Sequence, residues 1–394
     1  MEEIIQLNGA RVALDETRSA YRNLRIKRGR ILPFRNQEPA TQHRDLTGYL
    51  LLPGLINAHD HLEFGLFPRL GNGPWPNARE WAAAVHQPET SPVKEHRAVP
   101  RNVRLMWGAI RNTVCGVTTV AHHNPFEQVF GRRNFPVRVV RRLGWAHSLD
   151  FSPDIEERRR LTPRTWPFVI HAAEGSDERA GAEICTLDEM GMLDDRMVIV
   201  HATAATPEQL SRMRDQRTAL IWCPSSNLFS VGRTLPPETV RSFPLTCLGT
   251  DSSLTADGDL IDEIRVAQSH SQLSLLEIYR LVTRSPARIL RLHSGEGQIR
   301  EGGVADLIAI RDRGRTPAEA LVDLPPALVL KGGRPVVMSA GFAASTDWST
   351  TGLEAMELVG RGLFLVRAPV QRMYAAAVRS LGPAIRLGGK PVFV

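Results

Sequence analysis

Residues 53–61 read Pro-Gly-Leu-Ile-Asn-Ala-His-Asp-His and end a nearly continuous apolar run that begins at Tyr49. Such a run is typical of a strand that is buried on both faces of a parallel sheet. Side chains two positions apart on an extended segment point the same way, so His59 and His61 can bind one metal ion together. This stretch therefore predicts a buried strand that carries two metal ligands at its carboxyl end.

Three later apolar strands also end in residues that bind metals or move protons. His171 closes one of them and is followed by Glu174. His201 closes the next, and Asp251 follows a third. A single strand-end histidine is more often structural, but four such endings in order favour one shared site. Because a (β/α)8 barrel gathers its active site at the carboxyl ends of its strands, the pattern predicts that fold class, α/β with a TIM-like barrel.

The chain divides into four predicted parts. Residues 53–300 alternate between strand and helix patterns and form the barrel. Residues 1–52 and 301–340 contain short strands, which are predicted to pair into one small β-sandwich domain. Residues 341–394 form a C-terminal extension whose role the sequence does not reveal.

Two segments of the barrel carry more specific predictions. Residues 95–111 place apolar side chains on one face at helical spacing, which predicts one long helix. Fewer than 50 residues separate the strand ends near positions 121 and 170, although an eight-stranded barrel needs two further βα units there. Either two strands share a very short connection or the barrel is distorted in this region.

Composition excludes several classes of protein. All but four of the 49 basic residues are arginine, and they are spread along the chain, so the net charge of +7 does not predict a nucleic-acid site. The charge is compatible with anionic substrates without establishing them. The four cysteines form no C-x-x-C pair, and no apolar run is long enough to span a membrane. With an acidic start that is unlike a signal peptide, the sequence predicts a cytoplasmic protein without membrane or nucleic-acid partners.

The motifs taken together resemble a known family. The opening run, His171-x-x-Glu174, His201, and the stretches at 223–227 (Cys-Pro-Ser-Ser-Asn) and 249–252 (Gly-Thr-Asp-Ser) are similar to successive motifs of the amidohydrolase superfamily. The similarity is to its single-metal deaminase and chlorohydrolase branch, which includes guanine, cytosine and aminodeoxyfutalosine deaminases. It covers about residues 20–340.

The resemblance implies a set of site residues. One divalent metal ion, zinc in preference to iron, would be held by His59, His61, His171 and Asp251. Asp251 would also take a proton from the attacking water. Glu174 would carry a proton to a ring nitrogen and then to the departing amine, and His201 would orient the attacked centre and stabilise its charge.

Lysine usage supports the single-metal branch. Dinuclear members of the superfamily commonly bridge their two metals with a carboxylated lysine on a barrel strand. This sequence has no lysine between Lys94 and Lys331, so such a bridge is excluded where the barrel strands are predicted. A bridging glutamate stays open.

The predicted function is hydrolytic deamination of an amino-substituted heterocycle, a nucleoside-like small molecule or a guanidine-type group. Hydrolysis of a ring amide or a C–Cl bond would use the same ligands, so only the products distinguish these reactions. A non-catalytic, metal-binding family member is the third alternative.

Substrate contacts and assembly are less well defined by the sequence. Candidate substrate-binding residues are His122, His123, His147, Glu63 and Trp75. Each of them has an ordinary structural alternative, such as hydrogen bonding beneath the site or aromatic packing in the long segment 63–100. Homodimers are common among members of the family, so the resemblance leaves a homodimer open as the assembly.

Overall fold

The computed structural model describes residues 3–36 and 38–394. Residues 1, 2 and 37 of the predicted N-terminal part lie outside the described residues. Within the described ranges, no helix has the length and apolar character needed to cross a membrane. The structure combines a barrel-like region of parallel strands and helices with a second region of mixed β-sheets, which the two ends of the chain build together.

The first region of the chain is built from short strands. They are β1 (Ile4–Asn8), β2 (Arg11–Ala13), β3 (Ser19–Tyr21), β4 (Leu24–Lys27), β5 (Arg30–Ile31), β6 (Gln42–Asp45) and β7 (Tyr49–Pro53). Four of these strands form a sheet in the order β5-β4-β1-β6. The strands β7, β2 and β3 instead belong to a second sheet that the end of the chain completes.

Eight strands of the described residues, parallel to one another within each of two sheets, form the part of the fold that carries the predicted site. They are β8 (Leu55–Asp60), β9 (Val117–His122), β10 (Arg138–Val139), β11 (Gly144–Trp145), β12 (Phe168–Ala172), β13 (Met197–His201), β14 (Ala219–Trp222) and β15 (Thr246–Leu248). They pair in the orders β10-β9-β8 and β11-β12-β13-β14-β15. The amides of Thr250 and Asp251 both donate to the carbonyl of His59 at 3.0 Å, which joins the end of β15 to β8. Among the described residues β10 does not pair with β11, so closure of the barrel is not detected.

The compressed segment between β9 and β12 contains two strands with a very short connection. Only residues 140–143 separate β10 from β11, and they contain no helix. The backbone of Gly144 packs directly against the side chain of Thr162, because a Cβ atom at Gly144 would lie only 2.3 Å from that side chain. The sequence left open a very short connection or a distorted barrel, and the structure has both features here: the connection is short, and the sheet order is interrupted between β10 and β11.

Thirteen helices are found in the described residues. They are α1 (Ala78–Val85), α2 (Val93–Ala98), α3 (Arg101–Val114), α4 (Ile155–Leu161), α5 (Glu178–Glu189), α6 (Pro207–Asp215), α7 (Pro224–Ser230), α8 (Pro237–Ser242), α9 (Leu260–Ser271), α10 (Leu275–Leu281), α11 (Arg284–Ile289), α12 (Ala340–Ser345) and α13 (Val370–Leu381). Short 3-10 helices occupy Leu62–Phe64, Gln128–Gly131 and Glu319–Asp323. The long helix predicted over residues 95–111 is wrong, because the chain leaves helical geometry at Val99 and Pro100 and forms α2 and α3 instead. A proline disfavours helical geometry in the residue before it, and its own N–H is missing.

The C-terminal strands complete the second sheet. They are β16 (Leu307–Arg311), β17 (Leu328–Lys331), β18 (Arg334–Ser339), β19 (Glu354–Leu358), β20 (Gly362–Val366), β21 (Arg386–Leu387) and β22 (Lys390–Phe393). The ten-stranded order is β21-β22-β19-β20-β18-β17-β16-β7-β2-β3, so both chain ends share one sheet. The two sheets bury a common cluster of side chains that includes Leu7, Leu24, Leu51, Leu307 and Phe342.

The interior of the parallel strands is packed with aliphatic side chains. Ile56, Val169, Val198, Val200 and Ile221 belong to one buried cluster there. Such a filled interior forms a floor beneath the carboxyl ends of the strands and not a pore. The polar residues that follow these strands therefore lie above an apolar floor.

Candidate active site

The four residues predicted as metal ligands meet above this floor. Each offers one nitrogen or carboxylate oxygen, and these four atoms all lie within 4.8 Å of one another. Nε2 of His171 is 3.0 Å from Nε2 of His59, and Oδ1 of Asp251 is 3.3 Å from Nε2 of His59. Nε2 of His61 is 3.5 Å from the same oxygen. Strands β8 and β12 and the end of β15 therefore direct their side chains to a single point.

The partner of His171 fixes which of its nitrogens faces the site. Nδ1 of His171 lies 2.7 Å from the carbonyl oxygen of His147, which can only accept a hydrogen bond. Nδ1 therefore carries the proton, and the lone pair of Nε2 points at Nε2 of His59. Two ring nitrogens that face each other so closely favour a cation between them.

Electrostatics also fit a cation at this point. Burial, followed by the charges of neighbouring histidines, lowers the pKa of His61 and of His171 well below the usual value, so both rings are neutral. Burial alone would raise the pKa of the Asp251 carboxyl, but a hydrogen bond to His59 and the nearby histidine charges hold that pKa well below its usual range. Neutral imidazoles and an ionised carboxylate are the donor set that Zn(II) and Fe(II) bind, so the residues fit a divalent metal ion.

Two hydroxyl groups hold the carboxylate of Asp251. Oδ2 of Asp251 accepts from Oγ of Ser226 at 2.6 Å and from Oγ1 of Thr255 at 3.1 Å. Sequence reasoning did not assign this role to either residue. Ser226 stands in the motif at 223–227, which offered a signal, whereas Thr255 has only its spacing from Asp251.

A buried ion pair lies directly beneath the ligands. Asp60, between the two histidines of β8, accepts from Arg111 of α3 at 2.6 Å, and both side chains are almost fully buried. Arg111 also donates to Oγ of Ser253 at 2.7 Å and approaches the carbonyl oxygen of Asp251 at 3.4 Å. The pair thus links the strand that carries two ligands to the loop that carries a third.

His201 and Glu174 lie together beside the ligands. Nδ1 of His201 is 2.7 Å from Oδ1 of Asn227, which accepts a hydrogen bond, so Nδ1 carries a proton. Nε2 of His201 is buried without a hydrogen-bond partner among the described residues. It lies 3.5 Å from Oε2 of Glu174 and 3.9 Å from Oδ2 of Asp251. Burial, with a further contribution from Asp251, raises the pKa of Glu174 to about 7.

A cavity of about 460 Å³ opens above these groups. It is lined by the site residues His61, His171, Glu174, His201 and Asp251, and by Trp81, Trp145, Phe151, Leu254, Arg101 and Arg158 among others. A chamber of this size, with apolar walls and a few converging polar groups, is typical of a small-molecule site.

Two of the five predicted substrate-binding residues line the cavity, and three are not among its described lining residues. His147 and Glu63 line the cavity. His122, His123 and Trp75 are not among its described lining residues. The ring of His123 packs 4.4 Å from that of His171 and 4.9 Å from that of His59, measured between centroids. Trp75 packs against Phe229.

Comparisons with known proteins agree with this geometry. A family model described as an amidohydrolase family matches residues 158–337. A 5-methylthioadenosine/S-adenosylhomocysteine deaminase of Pyrococcus furiosus is 23% identical over 342 residues, which cover 70% of this chain and 78% of that protein. The sequence similarity to this relative thus covers more than two thirds of the chain.

Solved structures share the fold. An adenosine deaminase from Xanthomonas campestris with bound zinc superposes with a TM-score of 0.74 at 18% identity, covering 96% of this chain and 97% of that one. An atrazine chlorohydrolase from Arthrobacter aurescens, complexed with zinc, gives a TM-score of 0.71 at 17% identity and covers 95% and 99% of the two chains. The resemblance to the amidohydrolase superfamily that was read from the motifs is confirmed by these matches.

Proposed function

We propose that this protein is a metal-dependent hydrolase that deaminates an amino-substituted heterocycle of the adenosine type. The observation that carries the proposal is the position of Glu174, a buried carboxyl with a pKa of about 7, beside the unpartnered Nε2 of His201 and the four-ligand cluster. The name of the Pyrococcus furiosus relative supports an adenosine-type substrate.

The metal ion and the chain have separate tasks in this reaction. A divalent metal ion held by His59, His61, His171 and Asp251 would supply Lewis acidity, which allows water to ionise near neutral pH. In hydrolytic deamination, the oxygen of water bonds to the ring carbon that bears the amino group, and the bond from that carbon to nitrogen breaks to release ammonia.

The side chains move the protons of this exchange. The low pKa of Asp251 keeps it ionised, so its carboxylate can accept a proton from the attacking water. Glu174 keeps its own proton up to a pH of about 7, so it can protonate the ring nitrogen and later pass a proton to the leaving amine. In the tautomer that Asn227 favours, Nε2 of His201 can accept a hydrogen bond from the water and hold it in place.

A second candidate reaction uses the same groups. The atrazine chlorohydrolase neighbour supports hydrolysis of a C–Cl bond on a heterocycle, and a ring amide is the related alternative. Chloride needs no proton to leave, whereas an amine does. Because Glu174 is placed and protonated to supply that proton, deamination is the preferred reaction.

The proposal includes several finer statements. We infer a (β/α)8 barrel over residues 53–300, a small β-sandwich from residues 1–52 and 301–340, and an extension over residues 341–394. Zinc is the proposed metal, as in both zinc-containing neighbours. The protein is proposed to act in the cytoplasm on a small molecule, with a homodimer as the assembly to test. His147 and Glu63 are the proposed substrate contacts, whereas His122, His123 and Trp75 stay predictions without a contact to the cavity.

Ammonia release from a panel of aminopurines, adenosine-type nucleosides, aminopyrimidines and guanidines tests the proposal. Zinc-loaded protein is expected to deaminate at least one adenosine-type compound, and Glu174→Gln is expected to retain the metal while losing activity by a factor of about 100 or more. Glu183→Gln is the matched control, because Glu183 is also largely buried but accepts from the amide of Ala173 and does not line the main cavity. Chloride release from a chlorotriazine without ammonia release would favour the second reaction.

A further inference from the structure

A second cavity adjoins the active-site cavity. Its volume is about 330 Å³, and we call it the arginine annex. Its lining is Glu63, Phe64, Phe67, Leu70, His86, Pro88, Val93, Arg97, Arg101, Arg104 and Leu254. Five of these residues also line the active-site cavity: Glu63, Phe64, His86, Arg101 and Leu254. The shared residues place the annex directly beside the active-site cavity.

Positively charged side chains outnumber negatively charged ones in the annex. Of the described lining residues, three are arginines on α2 and α3, and one, Glu63, is a carboxylate. Arg101 is paired with Glu127 at 3.0 Å and lies 3.5 Å from Glu63. Arg104 donates to the carbonyl oxygens of Val99 and Glu63, at 3.1 and 3.3 Å, which leaves its charge without a dedicated carboxylate.

Arg97 is the arginine that remains available. Within residues 3–36 and 38–394, no carboxylate forms an ion pair with it, and its side chain is exposed at the annex. The positive charge of Arg97 affects the pKa of two neighbouring residues, His86 and Arg104. Burial lowers the pKa of His86, and Arg97 lowers it further. Burial also lowers the pKa of Arg104, and Arg101 and Arg97 contribute in the same direction against the opposing effect of Glu63. An anion here would relieve this mutual repulsion.

One carboxylate, that of Glu63, is found among the described lining residues of the annex. Its Oε1 accepts from the side-chain amide of Asn124 at 2.9 Å, and its Oε2 is buried without a hydrogen bond in the described residues, 3.7 Å from Nε2 of His122. Glu63 is 5% exposed, so it can touch a substrate only through a small part of its surface, which is not enough to surround an ammonium group. The remaining walls are mostly apolar, because His86 is joined there by Phe64, Phe67, Leu70, Pro88, Val93 and Leu254.

We propose that the arginine annex binds an anionic group carried on an apolar arm of the substrate. The group is a carboxylate or a phosphate without an accompanying ammonium, because guanidinium groups are present to receive it and Glu63, the one carboxylate among the described lining residues, is almost fully buried. The inference rests on the proposed function for the position of the ring. It adds a substrate class, a heterocycle whose arm ends in a negative charge, and it names Arg97 as the principal contact.

The test uses matched compounds on one ring. For each ring of the panel, four compounds carry the same alkylthio arm, which ends in a methyl group, a carboxylate, a phosphate or a zwitterionic amino acid. Zinc-loaded wild-type protein is expected to show a higher kcat/KM for the carboxylate or the phosphate than for the methyl and zwitterionic compounds, with the difference mainly in KM. Whichever anion is preferred identifies the group. Equal values for all four arms would overturn the inference.

Variants locate the effect. Arg97→Gln is expected to lower the ratio of anionic to neutral kcat/KM by about tenfold, as expected from loss of one charge-assisted hydrogen bond. Arg160→Gln is the matched control, because Arg160 is an exposed helical arginine on α4 outside both cavities, and its removal changes the net charge equally. An equal fall of the ratio in both variants would assign the preference to net charge and overturn the inference.

The experiments can refute the proposal about the annex and the proposal about deamination independently of each other. If no ring is deaminated, calorimetric binding of the same compounds to wild-type and Arg97→Gln protein replaces turnover as the readout. Tighter binding of an anionic arm, weakened in Arg97→Gln, would support the annex although the reaction is wrong. If none of the anionic compounds binds more tightly than its neutral counterpart, the annex is refuted whatever the reaction.

Discussion

Single hydrogen-bond partners decide what each histidine of the site can do. The carbonyl of His147 leaves Nε2 of His171 free for a metal, and the side-chain amide of Asn227 leaves Nε2 of His201 free for water. The two rings lie close together, with centroids 5.4 Å apart, yet they receive different tasks. The difference comes from the neighbours of each Nε2 atom. Nε2 of His171 faces another predicted metal ligand, His59, whereas Nε2 of His201 faces the carboxyl group of Glu174.

Replacing Asn227 tests this control of the His201 ring. Asn227→Ala removes the acceptor that fixes the proton on Nδ1, so the ring can present either tautomer to the site. We expect kcat to fall by about tenfold to a hundredfold, the range found for outer partners of site histidines, with metal content unchanged. Steady-state kinetics and metal analysis of the same preparation check both parts.

Asn227→Asp and Asn102→Ala provide the comparison. The aspartate keeps an acceptor for Nδ1 and is expected to recover part of the activity. Asn102 is exposed on α3, so its replacement is expected to leave kcat near the wild-type value. Loss of metal in Asn227→Ala would contradict a role limited to His201.

The sequence predicts some of these residues and not others for a physical reason. The four predicted ligands lie at or just after the carboxyl ends of buried strands, which a barrel brings together whatever the loops do: His59, His61, His171 and Asp251. Ser226 and Thr255 hold Asp251 through contacts that depend on the path of a loop and a short helix. A hydroxyl has no pattern in the sequence that distinguishes this role from any other.

Elements outside the strands hold the Asp251 loop in place. Helix α9 carries Glu263, which is 2% exposed and accepts from the amide of Ser225 at 2.9 Å at the start of α7. Helix α7 in turn carries Ser226, the donor to Asp251. The two helices therefore connect a buried glutamate to the carboxylate of the site.

The charge state of Glu263 predicts a pH dependence of stability. Burial raises the pKa of Glu263 to about 8 from an ordinary value of 4.5. The folded state therefore keeps the proton while the unfolded state loses it, so this contribution is complete below pH 4.5 and is lost as the pH rises through about 8. Glutamine does not titrate, so Glu263→Gln does not lose this contribution as the pH rises. The free energy of unfolding of the variant minus that of wild type should therefore increase by a few kcal/mol between pH 5 and pH 8. Denaturant unfolding at several pH values measures it.

An exposed glutamate separates this effect from general titration. Glu178→Gln on α5 should follow the wild-type pH profile, because Glu178 is exposed. Parallel profiles for Glu263→Gln and wild type would mean that Glu263 is already ionised in the folded protein.

The C-terminal extension is attached to the same loop. Arg361, between β19 and β20, pairs with Asp259 at 2.8 Å and with Asp262 at 2.7 Å, and its side chain is 3% exposed. The carbonyl of Gly388 accepts from the amide of Gly258 at 2.7 Å. The segment whose role the sequence did not reveal thus contacts the start of α9, a few residues after Asp251.

Removing this contact should destabilise the protein. Arg361→Gln leaves Asp259 buried without its partner, which is expected to lower the free energy of unfolding by about 3 kcal/mol or more. Arg372→Gln, at an exposed position of α13, is expected to change it by less than about 0.5 kcal/mol. Denaturant unfolding of both variants gives the comparison. Equal effects would show that the Arg361 contact is not the cause.

The prediction of helices from the sequence failed where one proline, or one short connection, changed the path of the chain. The helix over residues 95–111 has the right apolar spacing, but Pro100 divides it into α2 and α3. The division matters for the site, because Arg97 lies on one helix and Arg101 and Arg104 on the other. The residues between β9 and β12 were too few for two βα units, and the chain solves this by omitting a helix between β10 and β11.

At the scale of the whole molecule, the site depends on groups far apart in the sequence. Strand β16 pairs with β7 from Leu307 opposite Pro53 to Arg311 opposite Tyr49, which anchors the chain immediately before β8. Arg111 joins Asp60 to the Asp251 loop, and Arg361 joins that loop to the extension. Ligands that are supported from several directions are expected to be in place before a metal ion binds.

This arrangement predicts that metal binding stabilises the whole fold. An ion that binds only the folded state adds about 2.7 kcal/mol at a free concentration one hundred times its Kd, because unfolding separates the ligands. Zinc-loaded protein should therefore unfold at a higher temperature than chelator-treated protein, by an amount that grows with free zinc. Calorimetry across a zinc series measures the shift.

His59→Ala and His43→Ala separate the site from unspecific binding. His59 contributes one of the four converging ligands, so its removal should abolish most of the zinc-dependent rise in Tm. His43 lies on β6 in the other part of the molecule, and its removal should leave the rise intact. If zinc raises Tm equally in His59→Ala and in wild type, the ion stabilises the fold from somewhere other than this cluster. The four-ligand assignment would then be wrong, even in a protein that retained its activity.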